Sequence, residues 1–530
     1  MAREQKPMRA AVLVGALLAL PAVAQDRPAE ADLFGTADEA VDAGVQPSEA
    51  TIPATTPAAE VTISGDEAQL SSGPIQNKFD SAEVTSDPIK VGANLLMSSQ
   101  FYWQEGPAFE KGSVSAPFIL DTFIDGRPND RLRAFAVGRL QFDPTRPLST
   151  GAAATTTTPT GSLVGLTPAS QTNPSVFLDQ LWLRFDIARR VYMTVGRQKV
   201  RWGVSRVWYP TDFLNSQPRD ALNPFDVRLG VNMIKAHVPI ESLGWNFYGY
   251  GLLDAVNPTS LGETIDQLGG ALRGEFVFGP AEVGVGGIWH RGRRPRYAVD
   301  VSSAVGPFDV YAEAALRDAR DFLKFRYPSD LTEDTLLSQL GQIEAYRPQG
   351  LLVQASGGVS YQFNYTDKNF AVVGAEYFYN PAGYVDPVEY QVQTFAPSLV
   401  GQRPDPIQQT ALYGGQHNLA VTVAAPGLPE LSWITLSLSN ILILNDPSGL
   451  TRIDASFRVL SYLTVQAFAA VFYGQTGGQL RFKLSSQVIN DIANVSELGQ
   501  PGSGATVRSN LAPLRFPGMV QAGVLLRLSI

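Results

Sequence analysis

From Ile89 onwards the chain alternates with a period of two. Ile89, Val91, Ala93, Leu95, Met97, Phe101 and Trp103 hold odd positions, with mostly polar or small residues between them. This predicts a strand with one apolar face, because successive side chains of a strand point to opposite sides. The alternation recurs in Val353, Ala355, Gly357, Val359, Tyr361 and Phe363, in Ile453, Ala455 and Phe457, and through 463–473 and 520–530. Many of these runs reach about ten residues, whereas strands of soluble sandwiches average about five or six. Length favours strands that cross a bilayer.

Connector lengths give an independent test. Short turns fall near 125–130, 186–190, 239–243, 279–282, 305–309, 364–369, 425–430 and 459–461. Between them lie connections of variable and often large size near 104–115, 143–175, 203–230, 254–269, 291–296, 318–350, 380–416, 444–450 and 474–517. Eight turns and nine loops join 18 strands. Outer-membrane barrels alternate short periplasmic turns with long extracellular loops. The expected fold is therefore all-β: a transmembrane antiparallel up-and-down β-barrel of about 18 strands, with both termini periplasmic. The weakest strand is near 117–124, and 481–489 reads either as an extra strand or as part of a loop.

The last strand alternates to Ile530, with Gly523, Leu526 and Leu528 spaced as in the terminal signal that bacterial outer-membrane proteins present to the barrel-insertion machinery. That signal usually ends in Phe. Trp103, Trp289, Tyr377, Tyr379, Trp433 and Tyr473 lie near strand ends, where amphipathic rings form interfacial girdles.

Before the barrel come two other segments. Arg3, Lys6 and Arg9, an apolar core from Ala10 to Leu20, and Ala22-Val23-Ala24 before Gln25 have the three-part pattern of a secretory signal peptide over 1–24, cleaved between Ala24 and Gln25. Residues 25–88 are rich in Ala, Pro, Thr, Asp and Glu and poor in large apolar side chains. They cannot bury enough surface to offset their ordering entropy, which predicts a disordered acidic periplasmic arm. A periplasmic partner for this arm is one reading; a solvated linker is the other.

Charge sharpens the division. The chain carries a formal net charge of -9, of which the arm, with 13 acids and two bases, supplies -11; the leader supplies +2, so the barrel segment is neutral. Acidity belongs to the linker, not to a substrate site. The 17% charged fraction is low because about half the strand positions of a membrane barrel face lipid. With no cysteine there is no disulfide framework, zinc finger, thiol nucleophile, c-type haem or lipidated cysteine.

The loop at 203–230 contains Arg206, Trp208, Tyr209, Asp212, Arg219, Asp220, Asn223, Asp226 and Arg228 among Val, Leu, Phe and Pro. So apolar a loop is poorly suited to water, and it is expected to fold into the barrel as a constriction. Around it, Gly196-Arg197-Gln198, Trp202-Gly203, Asn223-Pro224-Phe225-Asp226, Lys235 and Pro239 form a run that resembles an uncharacterised, porin-like family of proteobacterial outer-membrane channel proteins. Members carry G-R-Q…W-G…N-P-x-D…K-x-x-x-P. The resemblance covers roughly 190–240 and implies a channel, with no substrate named. General porins also fold their third loop inwards.

By face assignment, Arg131, Arg133, Arg139, Arg184 and Lys235 line the pore on early strands, and Glu282, Glu313, Glu376 and Asp454 on later ones; Arg273, Arg452, Arg458 and Arg527 are exceptions. Two arrangements are open. A basic wall faces a partly acidic one across the lumen, or the charges pair between neighbouring strands. Arg197, Lys199 and Arg201 share parity with apolar Val191, Met193 and Val195, so either a bulge changes their facing or the strand has already left the hydrocarbon zone.

No catalysis is expected. His237, His290 and His417 lack a serine in a nucleophile-elbow context, and no metal or cofactor is implied. Arg291, Arg293, Arg294 and Arg296 suit lipopolysaccharide phosphates better than nucleic acid. The expected function is a porin-like outer-membrane channel for small polar solutes. Alternatives are an export conduit for polysaccharide or lipid working with periplasmic partners, and a surface interaction barrel using the long loops. Outer-membrane lipid is the expected surrounding, and both a monomer and a homo-oligomer fit.

Overall fold

The computed structural model describes residues 88–530 apart from 147–172, 216–218, 220–221, 223–227, 254–267, 291–292, 333, 337, 367–368, 400–411, 430 and 500–502. The expected leader with its Ala24–Gln25 junction, and all of the arm before Pro88, lie outside the described residues.

Among the described residues, eighteen antiparallel strands form the closed sheet, to which the three-residue strand Ser113–Ser115 adds by pairing with the first of them. They are β1 (Ile89–Gln104), β2 (Phe118–Asn129), β3 (Leu132–Phe142), β4 (Ser175–Ile187), β5 (Val191–Gln198), β6 (Val231–Ile240), β7 (Trp245–Leu252), β8 (Gly269–Phe278) and β9 (Ala281–His290). The second half comprises β10 (Arg296–Val305), β11 (Phe308–Asp318), β12 (Leu351–Asn364), β13 (Phe370–Tyr379), β14 (His417–Leu428), β15 (Leu431–Ile443), β16 (Ser448–Leu460), β17 (Leu463–Gly474) and β18 (Gly518–Ser529). Each pairs with its chain neighbours. β1 pairs with β2 from Ile89↔Gly126 to Met97↔Phe118, and with β18 from Asn94↔Ser529 to Trp103↔Val520. With both edges of β1 occupied, the sheet is closed, and the exposed edge that invites aggregation is gone.

Short and long connectors alternate as the turn residues predict. The weak stretch at 117–124 belongs to β2. At 481–489 there is no strand: helix Ser486–Gly499 begins there and packs against helix Ser503–Leu511. A third helix, Pro387–Leu399, lies between β13 and β14.

Alternation sorts the two faces. Leu178, Leu181, Leu183, Leu272, Val299 and Val353 are exposed on the outside, while their strand neighbours Gln180, Trp182, Arg273, Asp300 and Gln354 are buried inside. Exposed apolar side chains are the expected state of a face that meets lipid tails. Aromatic residues border this belt. Trp289, Tyr297, Tyr377 and Tyr473 are exposed near the long connectors, and Phe278, Phe308, Tyr361, Phe363 and Trp433 near the short turns. Trp103 and Tyr379 are half-buried; the Trp103 indole donates to the Pro107 carbonyl at 3.0 Å, and the Tyr379 ring packs on His417.

Facing shifts at one place on β4. A register irregularity opposite Val137 and Gly138 leaves Asp179 and Gln180 both buried, as a bulge re-aims a side chain. Without it, the Asp179 carboxylate would face outwards.

The two faces differ in what they tolerate. Leu181→Arg at the middle of β4 is expected to lower barrel stability by about 2–4 kcal/mol in bilayers, and the same change near a rim by about 0–1 kcal/mol. Urea titration of folding into lipid vesicles measures both.

Candidate functional site: a loop latched inside the barrel

The connector from β5 to β6 turns into the lumen. β5 ends at Gln198, so Lys199 and Arg201 lie beyond the strand and its parity does not extend to them. Lys199 bonds Asp179 at 2.9 Å, and the Arg201 guanidinium lies 5.3 Å from the Tyr209 ring centre. Arg197 donates through Nε to the Gly230 carbonyl at 3.0 Å, tying the two ends of the connector together.

Trp202 is the first anchor. It is buried with Phe213, Leu214, Met233, Tyr250, Leu252 and Ile288, so the inner faces of β6, β7 and β9 supply its apolar pocket. Gly286 on β9 makes room, since a Cβ there would lie 3.1 Å from the indole. The glycine and alanine positions on β8 to β11 thus leave space for a ring that arrives from another part of the chain.

Beyond Trp202 the loop backbone meets two carboxylates. Glu313 on β11 accepts from the amides of Val204 at 2.8 Å, Ser205 at 3.3 Å and Thr211 at 3.5 Å. Glu376 on β13 accepts from Arg206 at 2.8 Å, from Trp208 at 2.8 Å, from Val207 at 3.1 Å, and from the Tyr311 hydroxyl at 2.9 Å. Both glutamates are buried, and consecutive amides converging on an anion form an effective nest. Gly203 makes the approach feasible. Its φ is +98°, and a Cβ would sit 2.1 Å from Glu313 Oε2.

Side chains reinforce this latch. Trp208 stacks on Phe378 with ring centres 5.7 Å apart and donates from Nε1 to the Leu412 carbonyl at 2.8 Å. Ser356 donates to the Trp208 carbonyl at 3.2 Å and lies 2.5 Å from the Ser205 hydroxyl. Arg206 lies over the Tyr311 ring at 5.0 Å. The Tyr209 amide donates to the Tyr413 hydroxyl at 3.1 Å. At its far end the loop is held by Arg452 on β16, which donates to the Leu222 carbonyl at 2.6 Å, and by Arg228, 2.8 Å from Asp212.

Of the expected constriction residues, Arg206, Trp208, Tyr209, Asp212 and Arg228 lie in the infolded loop, and Arg219 is buried. Asp220, Asn223 and Asp226 lie outside the described residues. The expected wall residues divide. Arg133, Arg139, Arg184 and Lys235 face inwards on β3, β4 and β6, and Glu313, Glu376 and Asp454 do so on β11, β13 and β16. Arg131 instead sits in the β2–β3 turn, where it bonds Asp186 at 2.7 Å; it follows the last residue of β2, Asn129, so strand parity does not extend to it. Glu282 is exposed at the short-turn end of β9. Glu313 and Glu376 hold the loop rather than an open pore wall.

Charges on the inner wall pair with neighbours on early and late strands alike. Arg139 bonds Asp121 at 2.7 Å and Asp179 at 3.3 Å, Arg133 bonds Asp125 at 2.9 Å, and Arg452 bonds Asp454 at 2.6 Å. Arg133 and Arg184 each lie 5.3 Å from the Trp182 ring centre. Asp121, Asp125, Asp179, Tyr311, Ser356 and Tyr413 take part without having been singled out from the sequence. The inward parity of Asp121 and Asp125, opposite Arg139 and next to Arg133, was the available signal.

The long connectors pack together above the latch. Tyr384 donates to Asp446 at 2.7 Å, the Gln479 amide donates to Tyr384 at 3.1 Å, and Tyr390 lies 5.8 Å from Phe482. Burial pushes the Asp446 carboxyl above the ordinary carboxylate range. Among the described residues, no helix is long and apolar enough to cross a membrane, and no group of acids and histidines is arranged to hold a metal.

A closed barrel with an apolar belt and a loop latched in its lumen defines the molecule as a porin-like transmembrane β-barrel. No protein-family model and no curated sequence matches the chain. Among solved structures it is similar to a mutant of Rhodopseudomonas blastica porin, at a TM-score of 0.35 and 9% identity, covering 83% of this chain and 100% of that one. It is also similar to Acinetobacter baumannii OccAB1, at a TM-score of 0.44 and 8% identity over 84% of this chain and 97% of that one. OccAB4 of the same organism gives a TM-score of 0.44 and 8% identity over 84% and 99%.

The latch makes a specific demand on Glu376. Glu376→Gln replaces an anionic acceptor of three consecutive amides with an amide, and is expected to weaken loop attachment by about 1.5–3 kcal/mol. Hydrogen exchange at 204–209 should then speed up by roughly ten-fold or more, with exchange in β1 to β4 unchanged.

Proposed function

We propose that the chain is an outer-membrane channel through which small polar solutes diffuse, with the 203–230 loop setting its narrowest part. The supporting observation is the latch itself. An 18-stranded closed sheet is wide enough for an aqueous lumen, and the loop packs against the inner faces of β6 to β17. The opposite wall carries Asn94, Ser98, Gln100, Gln180 and Gln521 with the Arg139–Asp121–Asp179–Lys199 network. Amides, hydroxyls and paired charges suit solutes that exchange hydrogen bonds with water, and they disfavour apolar ones. On this reading the long connectors face the outside and the short turns the periplasm, as in barrels inserted from the periplasmic side.

Purified protein in planar bilayers should give discrete, steady conductance steps. Removal of 204–215 should raise the single-channel conductance at least two-fold, because resistance concentrates at the narrowest section. Silence from both forms, or equal conductance, would sink the assignment of the loop as the constriction.

A further inference from the structure

On β3, Arg139 and Gln141 are buried on the inner face, and Asp143 follows at the next position of the same parity, one residue past the strand. Successive members of this series lie about 7 Å apart along the chain. Arg139 stands opposite Asp121 of β2, and Asp121 opposite Asn94 of β1. Five buried atoms in this patch meet no hydrogen-bond partner: both amide atoms of Gln141, Oδ1 of Asn94, Oδ2 of Asp143, and Oδ1 of Asp179, which bonds Arg139 from β4. Asn94, Gln141, Asp143 and Asp179 are each more than nine-tenths buried. Four of the five atoms are oxygens. An unmet buried acceptor is costly, and a wall that repeats it points to a ligand that brings donors.

Charge distinguishes the two ends of the patch. At the inner end, Arg139 bonds Asp121 at 2.7 Å and Asp179 at 3.3 Å, and Lys199 bonds Asp179 at 2.9 Å. At the outer end, Asp143 makes no ion pair among the described residues. Its Oδ1 accepts from the Thr145 hydroxyl at 2.6 Å, the Thr145 amide at 2.9 Å and the Ala116 amide at 3.4 Å, fixing the end of β3 beside the start of β2. Its Oδ2 is left over. Arg146 is the nearest cation along the chain; it is exposed, and only its backbone amide bonds Asp143, at the carbonyl. The connector that follows, 147–172, contains no charged residue. Across from it, Glu110 and Lys111 of the β1–β2 connector are adjacent, exposed and of opposite sign.

We propose that Asp143 and Gln141 form a subsite for the protonated primary amine of a passing solute, whose neutral polar groups reach inwards to the oxygens of Asp179 and Asn94. An ammonium group carries three donors and no acceptor, which suits a place where unmet oxygens outnumber unmet donors. Its bond to the carboxylate is charge-assisted and so roughly twice as strong as a neutral one. The Gln141 amide, held by no bond of its own, is free to turn its oxygen to the same group. A metal ion would need its oxygens gathered around one centre, whereas these lie in steps along a strand. The balanced charges around Arg139 give a second cation nothing further in, so one amine with hydroxyl groups behind it is the matching pattern. The inference rests on the channel reading and narrows its solutes to amine-bearing ones.

Glucosamine and glucose differ at one position, an ammonium in place of a hydroxyl, and serve as the probe pair. Saturation-transfer NMR titration of the full chain in detergent micelles at pH 7 should show glucosamine binding at least about ten-fold more tightly than glucose. Asp143→Asn keeps an acceptor for Thr145 and Ala116 and should erase that preference with glucose binding unchanged. Gln141→Leu leaves the Asp143 bonds in place and should reduce the preference several-fold, which keeps the test open if the first variant does not fold. Equal binding of the two sugars by the native protein, or a preference that survives in both folded variants, overturns the subsite. Displacement of glucosamine by an equal concentration of potassium chloride overturns the amine assignment in favour of any monovalent cation. Single-channel recording of the same preparation tests the channel reading separately: steady conductance without an amine preference sinks the subsite alone, and an amine preference without conductance sinks the channel alone.

Discussion

A carboxylate taken out of water must find donors, and Glu313 and Glu376 find them in the backbone of a loop more than a hundred residues earlier in the chain. An isolated buried anion would cost several kcal/mol. Here the cost is offset by runs of neighbouring amides that, in a lumen-facing loop without secondary structure, would otherwise lack partners of their own. Each side satisfies the other. The loop is therefore inside for two reasons that agree: its Trp202 and Trp208 rings seek apolar pockets, and its amides seek anions.

This arrangement organises the rest of the interior. Small residues on β8 to β11 accommodate Trp202, Tyr311 and Ser356 complete the polar shell of the latch, and Arg452 secures the far end. The loop is bonded to β11, β13 and β16, while on the early strands Arg139, Asp121, Asp179 and Lys199 neutralise one another. Tyr413 belongs to both the inner loop and the outer connectors, bonding the Tyr209 amide and packing edge-on against Phe378. The inner loop and the long connectors are in direct contact.

Much of the fold could be read from the residues. Period-two alternation and the spacing of turns define all 18 strands, because a one-residue error would put apolar side chains into the lumen along a whole strand. An inward turn of the 203–230 loop was the expectation drawn from its tryptophan and tyrosine. The roles of Glu313 and Glu376 were not, since an inward acid on a strand looks the same whether it meets water or the amides of a distant loop. The helix at Ser486–Gly499 was hidden for another reason. Val488 and Ile489 pack in the company of Leu484 and Leu514, and a short apolar run fits strand and helix equally until its partners are known.

The latch also orders events in time. Val204 waits for a partner 109 positions later, Arg206 for one 170 positions later, and Leu222 for one 230 positions later. Strands pair with their chain neighbours and close short loops quickly, whereas contacts so far apart in sequence form late. The 203–230 segment must therefore stay uncommitted until β11, β13 and β16 have joined the growing sheet. The bonds that hold this loop against distant strands are therefore among the later contacts to form as the sheet assembles.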